Sequence, residues 1–194
     1  MVLRFWRECR FPLLQTLLAN WLREVLRFCV RRRLTETHSV AEEHDRMLTQ
    51  IRETGLMVPN LCFGASSLGD MPDTYGYGVS EAQAYDTVRA IFDGPVNFLD
   101  TSNNYGFGRS ETRIGHVIRE RGGLPDGFVL ATKLDRDMET GRLDANRVRQ
   151  SIEESLSRLG LDRVPLLHLH DPEYARDLDE VTRTGGAVDA LFRL

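Results

Sequence analysis

The spacing of apolar residues divides the chain into two unlike segments. In residues 1–50, apolar side chains recur at helical spacing from Leu13 to Cys29, and the stripe ends at three arginines, Arg31–Arg33. This pattern predicts an amphipathic helical extension, and it contains no run of about 20 apolar residues that could span a bilayer. Three interpretations stay open: packing on the rest of the chain or on a second copy, a membrane-surface or targeting role, and residues foreign to the fold added by a wrongly set start.

From residue 54 to residue 194 the pattern changes to short apolar strands that alternate with amphipathic helices. The predicted strands are Leu61–Gly64, Val96–Asp100, Phe128–Lys133 and Leu166–His170. Helices are predicted from Ser80, Ser110, Asp144 and Asp177. Near-continuous apolar strands separated by helices indicate an α/β fold with a parallel sheet that helices cover. Doubly wound sheets and (β/α)8 barrels both fit this alternation.

Two of these helices carry specific signals at their starts. Ser80 and Gln83 have the spacing of a capping box, and Asp144 is placed to cap the third helix. The faces predicted to be buried are Ala84, Val88, Ile91 and Phe92 in the first helix and Val148, Ile152, Leu156 and Leu159 in the third.

Composition narrows the class of protein. A hydrophobic content of 41% with 28% charged residues is typical of a globular chain, and a net charge of −4 gives no reason to expect nucleic acid as a partner. The three cysteines, Cys9, Cys29 and Cys62, are odd in number and lack metal-ligand spacing. They favour a reducing, cytoplasmic compartment and no metal site. Lys133 is the one lysine among 25 basic residues.

Three predicted strands end in an ionisable residue: Asp100, Lys133 and His170. They are 33 and 37 residues apart, about one βα unit each. Side chains alternate between the faces of a strand, so these three would share the inner face and meet at the rim where barrel enzymes place catalytic groups. Tyr105 follows on a loop that can fold back over this rim. His168, one layer deeper, is expected to be an interior histidine.

These residue types suit the interconversion of a carbonyl and an alcohol by hydride transfer. The Tyr105 phenol can give a proton to the substrate oxygen or take one from it. An ammonium about 4 Å away would stabilise the phenolate by about 4 kcal/mol at an effective dielectric of about 20. Asp100 would hold Lys133 charged and in place. His170 would form a hydrogen bond with the substrate oxygen and orient it.

Three stretches resemble successive signatures of the aldo-keto reductase family: NFLDTSNNYGFGRSE (97–111), LATKLDR (130–136) and SLSRLGLDRVPLLHLHDPE (155–173). A fourth, TGLMVPNLCFG (54–64), is similar to the family's opening hairpin and first strand. The HDPE ending is most similar to the sugar-dehydrogenase-like branch, which includes D-threo-aldose, L-fucose and pyridoxal dehydrogenases.

The resemblance implies a (β/α)8 barrel, NADP or NAD as the cofactor, and a small carbonyl compound or sugar as the substrate. The family's catalytic tetrad falls on Asp100, Tyr105, Lys133 and His170. Asp100 and Gly64 are also expected to lie against the cofactor.

The resemblance covers only the N-terminal half of the family's barrel, about four βα units within residues 54–194. In the family, later strands supply the groups that hold the nicotinamide and the adenosine phosphates. We therefore expect a truncated barrel that is inactive as this chain alone. The open edges of the first and fourth strands would favour self-association. The alternative is a non-catalytic remnant or an interaction protein that uses the N-terminal helix.

Overall fold

Two sheets organise residues 48–194, the part of the chain that the computed structural model describes. Strands β1 (Leu48–Gln50) and β2 (Met57–Pro59) form an antiparallel hairpin. β1 belongs to the same compact unit as the rest of residues 48–194. The predicted N-terminal helix, with the membrane, packing and interaction roles considered for it, lies outside the described residues.

The second sheet is parallel and is interleaved with helices. Its elements are, in chain order, β3 (Phe63–Gly64), a 3-10 turn (Ser66–Gly69), α1 (Pro72–Tyr75), α2 (Glu81–Phe92), β4 (Phe98–Asp100), α3 (Arg109–Arg121), β5 (Val129–Leu134), α4 (Ala145–Leu159), β6 (Leu166–Leu169), a 3-10 turn (Pro172–Tyr174), α5 (Leu178–Thr182) and α6 (Ala187–Leu191). The strand order is β3-β4-β5-β6, and every neighbouring pair is parallel. The predicted α/β fold with a parallel sheet is confirmed. No helix in residues 48–194 has the length and apolar character needed to cross a bilayer.

Helix α2 begins and packs as its sequence predicts. The Ser80 hydroxyl accepts from the Gln83 N–H at 3.3 Å, and the Gln83 side chain accepts from the Ser80 N–H at 2.9 Å. These two bonds satisfy backbone donors that the first turn leaves free. The predicted face is buried: Ala84, Val88, Ile91 and Phe92. Burying a side chain as large as Val, Ile or Phe stabilises the fold by about 1.5–3 kcal/mol.

Helices cover the outer face of the parallel sheet. Leu99 and Leu130 pack in one core with α2 and α3, and Leu134 packs in a second core with α4, α5 and α6. The alternate residues, including Asp100, Lys133 and His168, therefore face the other way. The prediction that His168 is an interior residue is wrong: His168 is exposed, because nothing in residues 48–194 packs over the inner face at that point.

Several predicted boundaries differ from the structure: the first two strands start two residues later than predicted, the third lies one residue further along, and the last helix and last strand also change. The single helix expected from Asp177 onwards is two short ones, because Gly185 adopts a positive φ of 76° between α5 and α6. Asp177 does cap α5 by accepting from the Asp179 N–H at 2.9 Å. Strand β6 ends at Leu169, one residue early, since the chain turns at Asp171, whose φ is 41°.

Candidate active site

The structure brings the four predicted catalytic side chains together at one rim of the parallel sheet. Asp100 is the last residue of β4, Lys133 lies near the end of β5, and His170 directly follows β6. Because the strands are parallel, these carboxyl ends lie side by side. Tyr105 reaches the same rim from the loop between β4 and α3.

Lys133 is the centre of this group. Its ammonium donates to the Asp100 carboxylate at 2.5 Å, to the Thr101 carbonyl at 2.9 Å and to the Tyr105 phenol at 3.0 Å. An ammonium has three N–H donors, so these bonds use all of them. The amine also lies 4.6 Å from the centre of the Tyr105 ring. The carboxylate and the phenol are therefore linked through one cation.

This environment keeps Lys133 protonated. Burial acts to lower the pKa of the amine, but its hydrogen bonds to Asp100 and Tyr105 outweigh that effect and raise the pKa above the ordinary value. A charged ammonium beside the phenol stabilises negative charge on the phenol oxygen. Lys133 can therefore support both the loss and the gain of a proton at Tyr105.

A close backbone approach sets the position of the Tyr105 loop. Gly106 has a φ of 61°, and a Cβ there would lie 2.0 Å from the Gly69 carbonyl oxygen. The Arg109 guanidinium fastens the same loop by donating to the Gly69 and Asp70 carbonyls at 2.8 and 2.9 Å. Only glycine fits at position 106, so this residue is part of what brings Tyr105 to the rim.

A buried polar network joins the loop to α4. The Asn103 amide donates to the Ser151 carbonyl at 3.0 Å and to Glu154 at 3.1 Å, and Arg147 donates to the Asn103 oxygen at 3.1 Å. Asn103 and Arg147 are only 4% and 7% exposed. Removing one member would leave buried polar groups unpaired, so this network resists movement of the loop.

His170 has partners that the sequence analysis missed. Its Nδ1 atom lies 2.6 Å from the Asp135 carboxylate and 3.2 Å from the Ser102 hydroxyl. The imidazole meets the Tyr105 ring edge-on, with 5.8 Å between the ring centres. Asp135 stands two positions after Lys133 in the LATKLDR stretch, and this nearness to a predicted site residue was the signal that could have identified it.

Gly64 pairs with Asp100 in the strand register, at the rim beside the tetrad. A Cβ at Gly64 would meet nothing within 4 Å, so the space beside this glycine is open. This open position leaves room for a cofactor beside Asp100. In residues 48–194, no three His, Cys, Asp or Glu side chains converge as metal ligands.

Two other features lie outside this chemistry. A cavity of about 900 Å³ opens at the opposite end of the sheet, where Asn97, Val129 and Pro165 mark the starts of the strands.

Burial and the nearby Asp100 carboxylate raise the pKa of the Cys62 thiol to about 11. A thiol with this pKa is protonated at neutral pH and is a poor nucleophile.

Comparison with known proteins gives consistent matches. The model of the aldo/keto reductase family matches residues 60–188. L-galactose dehydrogenase of Arabidopsis thaliana is 41% identical over 76% of this chain and 44% of its own length. D-threo-aldose 1-dehydrogenase of a Pseudomonas species is 33% identical over 71% of this chain and 50% of its own length. The chain thus spans about half the length of the curated relatives it matches.

Solved structures share the fold. A putative aldo-keto reductase from Pseudomonas aeruginosa superposes with a TM-score of 0.58 at 27% identity, covering 78% of this chain and 55% of its own. The (β/α)8-barrel class predicted from the sequence is confirmed by this likeness, and residues 48–194 supply four parallel strands of it.

Proposed function

Since the chain belongs to the aldo/keto reductase family, we propose that it carries the proton-transfer site of an NAD(P)-dependent oxidoreductase. The reaction interconverts a sugar and its lactone, or a small aldehyde or ketone and its alcohol. The observation that carries this proposal is the Lys133 ammonium shared between Asp100 and Tyr105. The sugar dehydrogenases among its relatives support a sugar as the substrate.

Each tetrad residue has one task in this proposal. In oxidation, the substrate O–H proton passes to the Tyr105 phenolate oxygen, and in reduction the phenol returns it to the carbonyl oxygen. Lys133 stabilises the negative charge that the phenol oxygen carries between these events, and Asp100 holds the ammonium. His170 forms a hydrogen bond with the substrate and orients it.

NAD or NADP, when bound, accepts a hydride from the substrate carbon in oxidation and supplies one in reduction. Gly64 and Asp100 would hold the nicotinamide end, in the open space beside the rim. The names of the relatives support L-galactose and related aldoses as the first substrates to test. The odd number of cysteines supports a reducing, cytoplasmic location.

We expect the 194-residue polypeptide alone to show no turnover. Acid–base groups contribute about 10²- to 10⁴-fold to a rate, but hydride transfer also requires a cofactor that is held in position. Four parallel strands in the described residues provide one wall of such a site. Steady NAD(P)-dependent oxidation of an aldose above a Tyr105→Phe control would contradict this expectation.

A chimera tests the proton-transfer chemistry separately from the question of whether the 194-residue chain is active alone. Residues 60–188 would replace the matched part of the Arabidopsis L-galactose dehydrogenase, with which the chain is 41% identical. We expect NAD(P)-dependent oxidation of L-galactose, and a loss of about 10²- to 10⁴-fold in kcat when Tyr105→Phe is introduced. Tyr85→Phe is the matched control, because Tyr85 stacks on His116 away from the tetrad. Equal kcat values for both variants would refute the proposal.

A further inference from the structure

The contacts of His170 specify where its ring proton lies. Ser102 and Asp135 both approach Nδ1, and the Asp135 side chain is only 3% exposed. A carboxylate accepts hydrogen bonds and cannot donate them. The contact between Nδ1 and Asp135 at 2.6 Å therefore places a proton on Nδ1.

Ser102 cannot supply that proton instead. Its hydroxyl makes a short contact with the second oxygen of Asp135, to which it donates its one proton. The Asn104 N–H donates to the same carboxylate oxygen at 3.1 Å. Ser102 can then only accept from Nδ1. When His170 donates through Nδ1, every contact around Asp135 has one donor and one acceptor.

The other ring nitrogen is available to a ligand. The Asp171 carboxylate is 3.7 Å from Nε2, which is beyond a hydrogen bond, and within residues 48–194 no side chain bonds this atom. The His170 side chain is 19% exposed. A neutral imidazole protonated at Nδ1 carries a lone pair at Nε2.

We propose that Asp135 is a positioning residue that fixes His170 as the Nδ1–H tautomer, so that the neutral ring offers Nε2 as an acceptor to a sugar hydroxyl next to the reacting one. The reacting hydroxyl gives its one proton to Tyr105 and cannot also donate to Nε2, whereas a neighbouring hydroxyl can. The site is therefore set for a polyhydroxy substrate, a sugar rather than a simple aldehyde or ketone. This choice of substrate rests on the proposed function; the tautomer does not.

The tautomer can be measured on the 194-residue chain without cofactor or substrate. The chain is labelled with ¹⁵N-histidine, and long-range ¹H–¹⁵N spectra are recorded where the ring is neutral, with His170→Gln assigning the signals. We expect the Nδ1–H form to exceed the Nε2–H form by about tenfold or more, as a hydrogen bond to a charged group implies. A wild-type ring that is mainly Nε2–H would overturn the proposal.

Variants identify which partner sets the tautomer. Asp135→Asn provides an amide that can donate to Nδ1, and it should shift the population towards Nε2–H. Asp171→Asn removes the neighbouring charge without touching Nδ1 and should keep the wild-type ratio. Ser102→Ala should keep it too, and it decides the assignment if Asp135→Asn does not fold. An unchanged ratio in folded Asp135→Asn, or a lost preference in Ser102→Ala, would overturn the role of Asp135.

Addition of L-galactose then tests the acceptor role. The Nε2 resonance should shift in the wild type and in Asp171→Asn, and it should not shift in Asp135→Asn. A wild-type ring in the Nδ1–H form that does not respond would overturn the hydroxyl as ligand, and with it this part of the proposed function. The tautomer assignment would stand, so the two failures are distinguishable.

Discussion

The Lys133 ammonium donates a hydrogen bond to the Tyr105 phenol over 3.0 Å. The two residues come from a strand end and a loop that precedes it by one βα unit, and the register of β4 and β5 brings them together. Hydrogen bonds from Asn103 to α4 hold the loop in position. The distance between amine and phenol is thus a property of the scaffold.

Replacing this amine is expected to remove the proton-transfer function. In the chimera, Lys133→Met should lower kcat by about 10²- to 10⁴-fold, because the phenolate loses its neighbouring cation. Arg149→Met on α4 removes a positive charge at an exposed position and is the control. Turnover rates of L-galactose measure both. A Lys133→Met chimera with an undiminished kcat would show that the amine is only structural.

Glu111 should make stability depend on pH. Burial raises the pKa of this fully buried carboxyl above its ordinary value, against the opposing hydrogen bonds from Thr132, Ser155 and Arg158. The folded chain therefore keeps the proton at pH values where the unfolded chain has lost it. This contribution is complete below the ordinary carboxyl pKa and is lost as pH rises through the raised one.

Urea denaturation at a series of pH values, on the wild type and on Glu111→Gln, measures that contribution. The glutamine cannot titrate, so the wild type should lose unfolding free energy relative to the variant as pH rises through this window. If the unfolding free energies of the two proteins changed in parallel with pH, the raised pKa of Glu111 would be contradicted.

Helices α3 and α4 approach each other closely at Gly115. A Cβ there would lie 2.0 Å from the Arg158 carbonyl oxygen and 2.8 Å from the Leu159 Cα, both backbone atoms. Gly115→Ala should therefore cost about 1–3 kcal/mol of unfolding free energy, despite the better helix propensity of alanine. Thr112→Ala, at an exposed position of the same helix, should stay within about 0.5 kcal/mol. Similar melting curves for both variants would contradict the close contact.

Self-association is expected through the strands at the two sides of the parallel sheet. Within residues 48–194, β3 and β6 each pair with one strand, which leaves a row of backbone donors and acceptors open on each. Light scattering after size exclusion should give a mass above the 22.2 kDa monomer. His168→Lys, which adds charge to an edge strand at an exposed position, should reduce that mass. A sharp monomer peak for the wild type would refute the prediction.

Local signals were enough to predict much of the fold. Ser80 and Gln83 act within one helical turn, and Asp144 accepts from the N–H groups of Asn146 and Arg147 that follow it. The buried face of α2 follows from spacing alone, because its period matches a helix. For the same reason, the strand alternation predicted which side chains share the inner face.

Contacts across strands were not predictable in this way. Asp135 meets His170 only because β5 and β6 pair in a particular register, and the chain turns after each strand. His168 was placed in the interior by the same alternation, but its exposure depends on what packs over the sheet, which no local pattern encodes. The helix expected after Asp177 was interrupted at Gly185, where the glycine adopts a left-handed conformation instead of continuing the helix.

Lys133 is also the one lysine of the chain, whose other basic side chains are all arginines. Guanidinium groups do not react with acylating reagents under the mild conditions that modify amines. Apart from the N-terminal amine, such a reagent can therefore form a stable amide only at Lys133. Because the Lys133 amine is held protonated by Asp100 and Tyr105, it should react slowly, and any loosening of the rim should accelerate the reaction. The chain thus carries a built-in chemical reporter, in which the mass increment located at Lys133 measures the integrity of the rim where the four predicted site residues meet.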